Sequence, residues 1–422
     1  MSTPQGPRVY NLFPRLAGKF TAWRPHLERA AAMNFNWVFL NPVHFAGFSG
    51  SMYAVKDHYA YDPALVDTED GIPAEEQLRR VLAQGRELGL RFMLDLVVNH
   101  TAIDAPLVAE HPAWYHHEGD GQVRHPGAWD GGNWVSWGDL AAVDNATSPE
   151  RAALWDYWEH LVAHYQELGF TGFRCDAAYQ VSGKLWSHLI RRAKGRGEAL
   201  FFAETLGCTV EQTIATAKAG FDYIFNSFKW WDFAAPWFLE QYRQTAKVAP
   251  SVAFPESHDT ERVFPQGGEL ALKQRYALAA SVSAGVLMPI GYEFGFSRKL
   301  DVVHTTTADW EQPAADVTGF IARVNAARAA HPIFNVDTAP RVIGQDNPEV
   351  VCLSRHFEGE RLLICANRDL NGEQQVWLDL GRLLGKEAAF TDLLLPERRL
   401  SAKWGERLMP GEVVLVHTAL PV

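Results

Sequence analysis

Short apolar runs alternate with stretches of helical periodicity from the N-terminus to about residue 330, and this rhythm constrains the fold more than any other feature. The runs are Val9–Leu12, Trp37–Pro42, Phe92–Val97, Gly172–Cys175, Leu200–Ala203, Asp222–Ile224, Val252–Phe254 and Gly285–Met288. Runs this short and this apolar predict parallel strands buried on both faces. Ala74–Leu88, Leu270–Ala284 and Val317–Ala330 read as helices. So does Ser148–Leu168, because Ser148-Pro149-Glu150 has the residue types that open a helix. Eight such strand–helix units predict an α/β fold, a (β/α)8 TIM barrel with insertions. A doubly wound open sheet is the alternative, weakened because no GxGxxG follows the first strand.

Residues 101–147 break the rhythm. They are rich in Gly, His, Trp and Asp and show little periodicity, which predicts a small irregular insertion after strand 3. Beyond about residue 335 the runs Val350–His356, Arg361–Asn367 and Glu412–Thr418 are β-rich, with a turn signal at Pro410-Gly411. The expected domains are a catalytic barrel (1–100 and 148–335), the insertion (101–147) and a C-terminal antiparallel, β-sandwich-like domain (336–422).

Composition then excludes several function classes. The formal net charge of -11 argues against a nucleic-acid partner or an anionic membrane surface. No apolar stretch is long enough to span a membrane and no basic-then-apolar leader opens the chain, so the expected location is the cytoplasm. Cys175, Cys208, Cys352 and Cys365 form no CxxC pair. Cys352 and Cys365 could face each other across a hairpin, but the expectation is four buried free thiols in a reducing compartment.

In a barrel, chemistry sits where strands end. Asp95 lies near the end of the third predicted strand, Asp176 after the fourth, Glu204 after the fifth and Asp259 after the seventh. Arg174 and Asp176 are two residues apart and so share a face. An Arg beside a carboxylate keeps it ionised, which suits a nucleophile. Glu204 follows the apolar run Leu200–Ala203, a setting that raises a carboxyl pKa as a general acid needs. With Asp259 as a third acid, the set fits an oxocarbenium-like transition state. Glu256 is read as a structural acid. His111, His116, His117 and His125 match no closed zinc pattern, so no metal site is predicted.

The segments Asp95–His100, Gly172–Ala178, Phe202–Glu204 and Phe254–Asp259 resemble, in order and position, those of the α-amylase superfamily of retaining glycoside hydrolases and transglycosylases. The resemblance implies that Asp176 is the nucleophile, Glu204 the general acid/base and Asp259 the transition-state stabiliser. It implies that Arg174 holds Asp176 and that His100 and His258 bind sugar hydroxyls. Asp95 would support the site, and Tyr53 would stack on the same sugar. Ser257 departs from the Asn often found before the His-Asp pair. Asn99 falls where many members bind structural calcium, but the insertion shows no recognisable Ca²⁺ loop, so calcium is not supported and no cofactor is required. Glu110–Gly121 and Ala219–Phe228 are similar to maltosyltransferase-type members.

The implied substrate is an α-1,4-glucan or malto-oligosaccharide, cleaved by double displacement with hydrolysis of the glycosyl-enzyme. The alternatives are a transglycosylase that passes the unit to a sugar acceptor, and a catalytically silent carbohydrate-binding member.

Overall fold

A computed structural model describes residues 5–130, 133–385 and 389–419. The apolar runs become parallel strands β1 (Arg8–Leu12), β2 (Trp37–Leu40), β3 (Arg91–Leu96), β4 (Gly172–Cys175), β5 (Leu200–Ala203), β6 (Tyr223–Phe225), β7 (Ser251–Ala253) and β8 (Gly285–Pro289). They pair in chain order and close into a barrel, β8 returning to β1. A helix follows each strand: α1 (Arg24–Ala32), α2 (Ala74–Glu87), α3 (Arg151–Leu168), α4 (Gly183–Arg196), α5 (Val210–Ala217), α6 (Trp237–Thr245), α7 (Phe264–Val282) and α8 (Thr318–Ala330). The fold is a (β/α)8 barrel.

Strand side chains alternate between two cores, as the period of two demands. Val9, Trp37, Phe39, Met93, Phe202, Val252, Phe254 and Leu287 fill the barrel interior. Their neighbours Tyr10, Val38, Leu94, Phe173, Phe201 and Val286 face the helical layer. Both faces of each strand are therefore buried, which is why the runs are continuously apolar in sequence.

Two helix starts differ from expectation. α3 begins at Arg151, not beside Ser148. The Ser148 hydroxyl donates to the Ala113 carbonyl (2.7 Å) and accepts from the Glu150 amide (3.1 Å), so it ties the insertion down instead of capping the helix. α7 reaches upstream to Phe264 across a break at Gly267-Gly268. Gly268 sits at φ +60, which only glycine adopts freely, so the regular helix is read only from Leu270.

The insertion holds short strand pairs that its sequence did not announce. His100–Ala102 pairs with Leu140–Ala142, and Gly127–Asp130 with Asn133–Ser136. Segments of three or four residues are too short for a periodic signal.

The C-terminal part is antiparallel β: β9 (Arg341–Val342), β10 (Val350–Phe357), β11 (Glu360–Asn367), β12 (Gln374–Asp379), β13 (Thr391–Asp392), β14 (Lys403–Leu408) and β15 (Val413–Ala419). One sheet runs β9-β10-β11-β15-β13, and β12 pairs with β14. Leu362, Ile364 and Leu415 join the barrel's outer core, while Leu363, Cys365 and Val414 pack with β12 and β14.

Cys352 and Cys365 are directly opposite in the β10–β11 hairpin, with Cα atoms 4.4 Å apart, and are joined as a disulfide. This corrects the expectation of four free thiols and removes the thiol argument for a reducing compartment. Cys175 and Cys208 are free. Among the described residues no helix is long and apolar enough to cross a membrane.

Candidate active site

Strand parity delivers the site. Phe39, Met93 and Phe202 point into the barrel, so the residues two further on, Asn41, Asp95 and Glu204, point inward at its C-terminal rim. Arg174 also points inward and pairs in register with Asp95 on the neighbouring strand.

Arg174 is the hub. Its Nη1 donates to both Asp95 oxygens (2.9 and 2.8 Å) and to Asp176 Oδ1 (2.7 Å), and its Nη2 lies 3.1 Å from Glu204 Oε2. Burial opposes its charge, but Asp95, Glu204, Tyr53 and Asp176 outweigh that and hold its pKa far above the usual value. One guanidinium thus spans Asp176 and Glu204, and the two carboxylates share a planar fork.

Glu204 has a second donor. The Ala177 amide reaches its Oε2 at 2.7 Å. Ala177 adopts a left-handed backbone (φ 40, ψ 44), an uncommon conformation for a residue with a Cβ, and this turn follows Asp176 directly. With two donors on Oε2, Oε1 is the oxygen left to carry a proton. Burial pushes the carboxyl up to about 8; Arg174 opposes this, and Asp176 and Asp259 add to it. Burial lifts Asp95 to about 7 against the pull of Arg174, with Asp176 adding to the rise.

Tyr53 closes the site from the β2 side. Its hydroxyl donates to Asp95 Oδ2 (2.6 Å), lies 2.8 Å from His258 Nε2 and accepts from Asn41 Nδ2 (2.9 Å). Its ring stacks on His258 at 5.7 Å between centroids. His258 Nε2 also meets Asp259 Oδ2 at 3.1 Å, and the Asp259 side chain is 48% exposed. Burial lowers the pKa of His258 and of His100, so both imidazoles are neutral and each can donate and accept. His258 Nδ1 and both ring nitrogens of His100 are buried and have no hydrogen-bond partner among the described residues.

These groups surround one open cavity of about 500 Å³, lined by Tyr53, His100, Asp176, Glu204 and Asp259. Arg174 and His258 line a smaller void beneath it. Tyr53, Asp95, His100, Arg174, Asp176, Glu204, His258 and Asp259 therefore converge on one rim. Glu256 does not join them: it is buried, bound to Arg262 Nη1 (2.7 Å) and the Val263 amide (2.6 Å), as the structural reading expects. The four histidines of the insertion do not converge either. His111 stacks on Trp114, and His125 Nδ1 bonds the Leu140 carbonyl. Asn99 donates to Gln180 Oε1 (3.0 Å).

Sequence reasoning missed Asn41, the Ala177 amide and the outer wall of Trp137, Tyr179, Val302 and Val303. The adjacent valines in an otherwise polar loop were a usable signal. A backbone amide leaves none.

Residues 6–119 match the family described as glycogen debranching enzyme, glucanotransferase domain. The α-1,4-glucan:maltose-1-phosphate maltosyltransferase of Burkholderia pseudomallei is 30% identical over 384 residues, covering 86% of this chain and 33% of that protein. The chain belongs to the α-amylase superfamily. The maltosyltransferase of Myxococcus xanthus is 24% identical over 87% of this chain and 60% of its own length. The chain thus spans a third to about three-fifths of these two relatives. A noncanonic maltogenic α-amylase from Thermotoga neapolitana superposes with a TM-score of 0.80 at 20% identity, covering 100% of both chains. The Geobacillus thermoleovorans α-amylase solved with acarbose gives 0.80 at 15% identity, also over 100% of both. Both place this superfamily member in the same fold.

Proposed function

We propose that this superfamily member is a retaining α-glucan transglycosylase that moves a maltosyl-sized unit from an α-1,4-linked donor to a sugar acceptor. The observation that carries the reading is the single Arg174 guanidinium bound to both Asp176 and Glu204 at the floor of the cavity. A fork of that width suits the carboxyl spacing of about 5–5.5 Å that retention requires, not the wider gap of about 6.5–9.5 Å that admits a water for inversion. Asp176 uses its free Oδ2 to attack the anomeric carbon while Glu204 Oε1 gives its proton to the departing glycosidic oxygen. The glycosyl–Asp176 ester forms and the glycosidic bond breaks. Glu204, now a carboxylate, takes the proton of the incoming acceptor hydroxyl as that oxygen displaces Asp176. Asp259, His100 and His258 hold sugar hydroxyls, and Asp95 with Tyr53 holds Arg174 and His258 in place.

The sequence alone favours water as the second acceptor. Two observations favour a sugar. The relatives that span the barrel carry maltosyltransferase names. The cavity wall of Trp137, Tyr179, Val302 and Val303 presents flat and apolar surface to an acceptor ring.

The test is a product profile. With maltoheptaose as donor and labelled maltotriose as acceptor, label is expected in chains longer than the acceptor, outpacing free maltose. Maltose 1-phosphate is the second donor to try. The first-formed anomer, read by NMR, should be α; a β product excludes double displacement.

The pH profile is a further expectation. Glu204 must be protonated to start the reaction, so kcat/KM should fall as pH rises through about 8. With donors bearing activated leaving groups, Glu204→Gln should remove that alkaline limb. The sign also applies to stability. The folded carboxyl keeps its proton where the unfolded one has lost it, so this group's contribution is full at low pH. It drains away as pH rises from the ordinary carboxylate range to about 8.

A further inference from the structure

A second cluster lies away from the catalytic cavity, where the end of α8 meets the C-terminal sheet. His331 follows the last turn of α8, Glu360 opens β11 and His417 lies on β15. Leu362 pairs directly with His417, so Glu360, two residues earlier, is diagonal to it on the same sheet face. That face is turned to the barrel, since Leu362 belongs to the barrel's outer core.

The three side chains present one ligand atom each. Glu360 Oε1 lies 3.4 Å from His331 Nδ1 and 3.1 Å from His417 Nε2, and all three atoms lie within 4.8 Å of one another. The two rings are 4.1 Å apart between centroids. The other carboxylate oxygen is engaged: Oε2 accepts from the Ile333 amide at 2.7 Å, which turns Oε1 toward the histidines. A tetrahedral ion with bonds of about 2.0–2.2 Å places neighbouring ligand atoms about 3.3 Å apart. The two Glu360 edges, 3.4 and 3.1 Å, lie close to that figure, and the 3.4 Å edge is longer than an ordinary N–H···O bond of about 2.7–3.2 Å. The His331 side chain remains 25% exposed, which leaves an entry path and room for a water as fourth ligand.

We propose that His331, Glu360 and His417 form a binding site for a zinc-type divalent cation that staples the end of the barrel to the C-terminal sheet. Two imidazoles and one carboxylate suit Zn²⁺ and disfavour Ca²⁺ and Mg²⁺, which take oxygen ligands. None of the three residues lines the catalytic cavity, so the site is independent of the proposed reaction.

The experiment uses tag-free full-length chain, stripped with chelator and titrated with Co²⁺ and then Zn²⁺. The expected result is one Co²⁺ per chain with visible d–d absorption of tetrahedral strength, displaced by Zn²⁺. Zn²⁺ should also raise the thermal unfolding midpoint, while Ca²⁺ and Mg²⁺ should leave it unchanged. His331→Gln, at the exposed edge, is the mild variant, and His417→Gln is the second. Each should weaken Zn²⁺ binding more than about a hundredfold, beyond the 10–100-fold that loss of a supporting contact costs. If wild-type chain shows no d–d band and no midpoint shift, or if His331→Gln binds like wild type, the cluster is a hydrogen-bonded His–Glu–His relay and the proposal is overturned. The readouts are spectroscopic and thermal, so they stand apart from any assay of glucan transfer.

Discussion

Asp176→Asn is expected to leave a folded protein whose turnover has dropped about 10⁴-fold or more. The amide keeps the shape and still accepts from Arg174 Nη1, so the loss belongs to the nucleophile and not to packing. Glu204→Gln should behave differently. With unactivated glucans it should lose about 10²–10⁴-fold, the usual worth of a general acid. With an activated leaving group, which departs without a proton, formation of the glycosyl-enzyme should survive. Parallel kinetics on α-maltosyl fluoride and maltoheptaose separate the two. Equal and mild losses in both variants would sink the assignment of roles.

Arg174→Met should be the most destabilising single change in the barrel. The guanidinium is bound to Asp95, Asp176 and Glu204, and all three acids lie at the barrel mouth with little or no exposure. Removing one partner from buried charges that were paired costs about 3–5 kcal/mol at neutral pH. The urea midpoint should report it. The deficit should be largest at alkaline pH, where Asp95 and Glu204 are charged, and should shrink as pH falls through about 8 and 7, because the orphaned acids take up protons and stop repelling one another. Arg174→Lys is the informative partner variant. An ammonium keeps the charge but is a point donor that cannot span two carboxylates in one plane, so much of the stability should return while activity does not. If Arg174→Met unfolds at the wild-type midpoint at pH 7, the hub does not hold the rim together.

The sequence makes the barrel legible for a physical reason. A strand buried on both faces is largely apolar, so each of the eight strands leaves a short apolar run. Charge in such a barrel gathers toward the strand ends, and Arg174 near the end of β4, with Asp176 and Glu204 just past β4 and β5, stands out against those runs. What stayed hidden has reasons too. β12, Gln374–Asp379, alternates in burial, but Trp377 is apolar on the solvent face, which blurs the alternation in sequence. The strands of the insertion are three or four residues long. The His–Glu–His cluster joins positions 331, 360 and 417, and nothing local in sequence signals that antiparallel pairing will bring the last two together. The Cys352–Cys365 bond was visible as a hairpin geometry, but composition argued for thiols. The outer wall of the cavity, Trp137, Tyr179, Val302 and Val303, sits in loops and a short 3-10 turn, where side chains are set by tertiary contact and leave no period to read.

The left-handed turn at Ala177 has a consequence for anyone who wishes to retune this enzyme. The group that holds Glu204, the proposed proton donor, is the Ala177 main-chain N–H; only proline would delete it, and proline cannot adopt φ +40. Reshaping the loop after β4 or altering Arg174 shifts the acidity of Glu204 and disturbs Asp176 at the same stroke, so along those two routes the proposed acid and the proposed nucleophile are mechanically yoked.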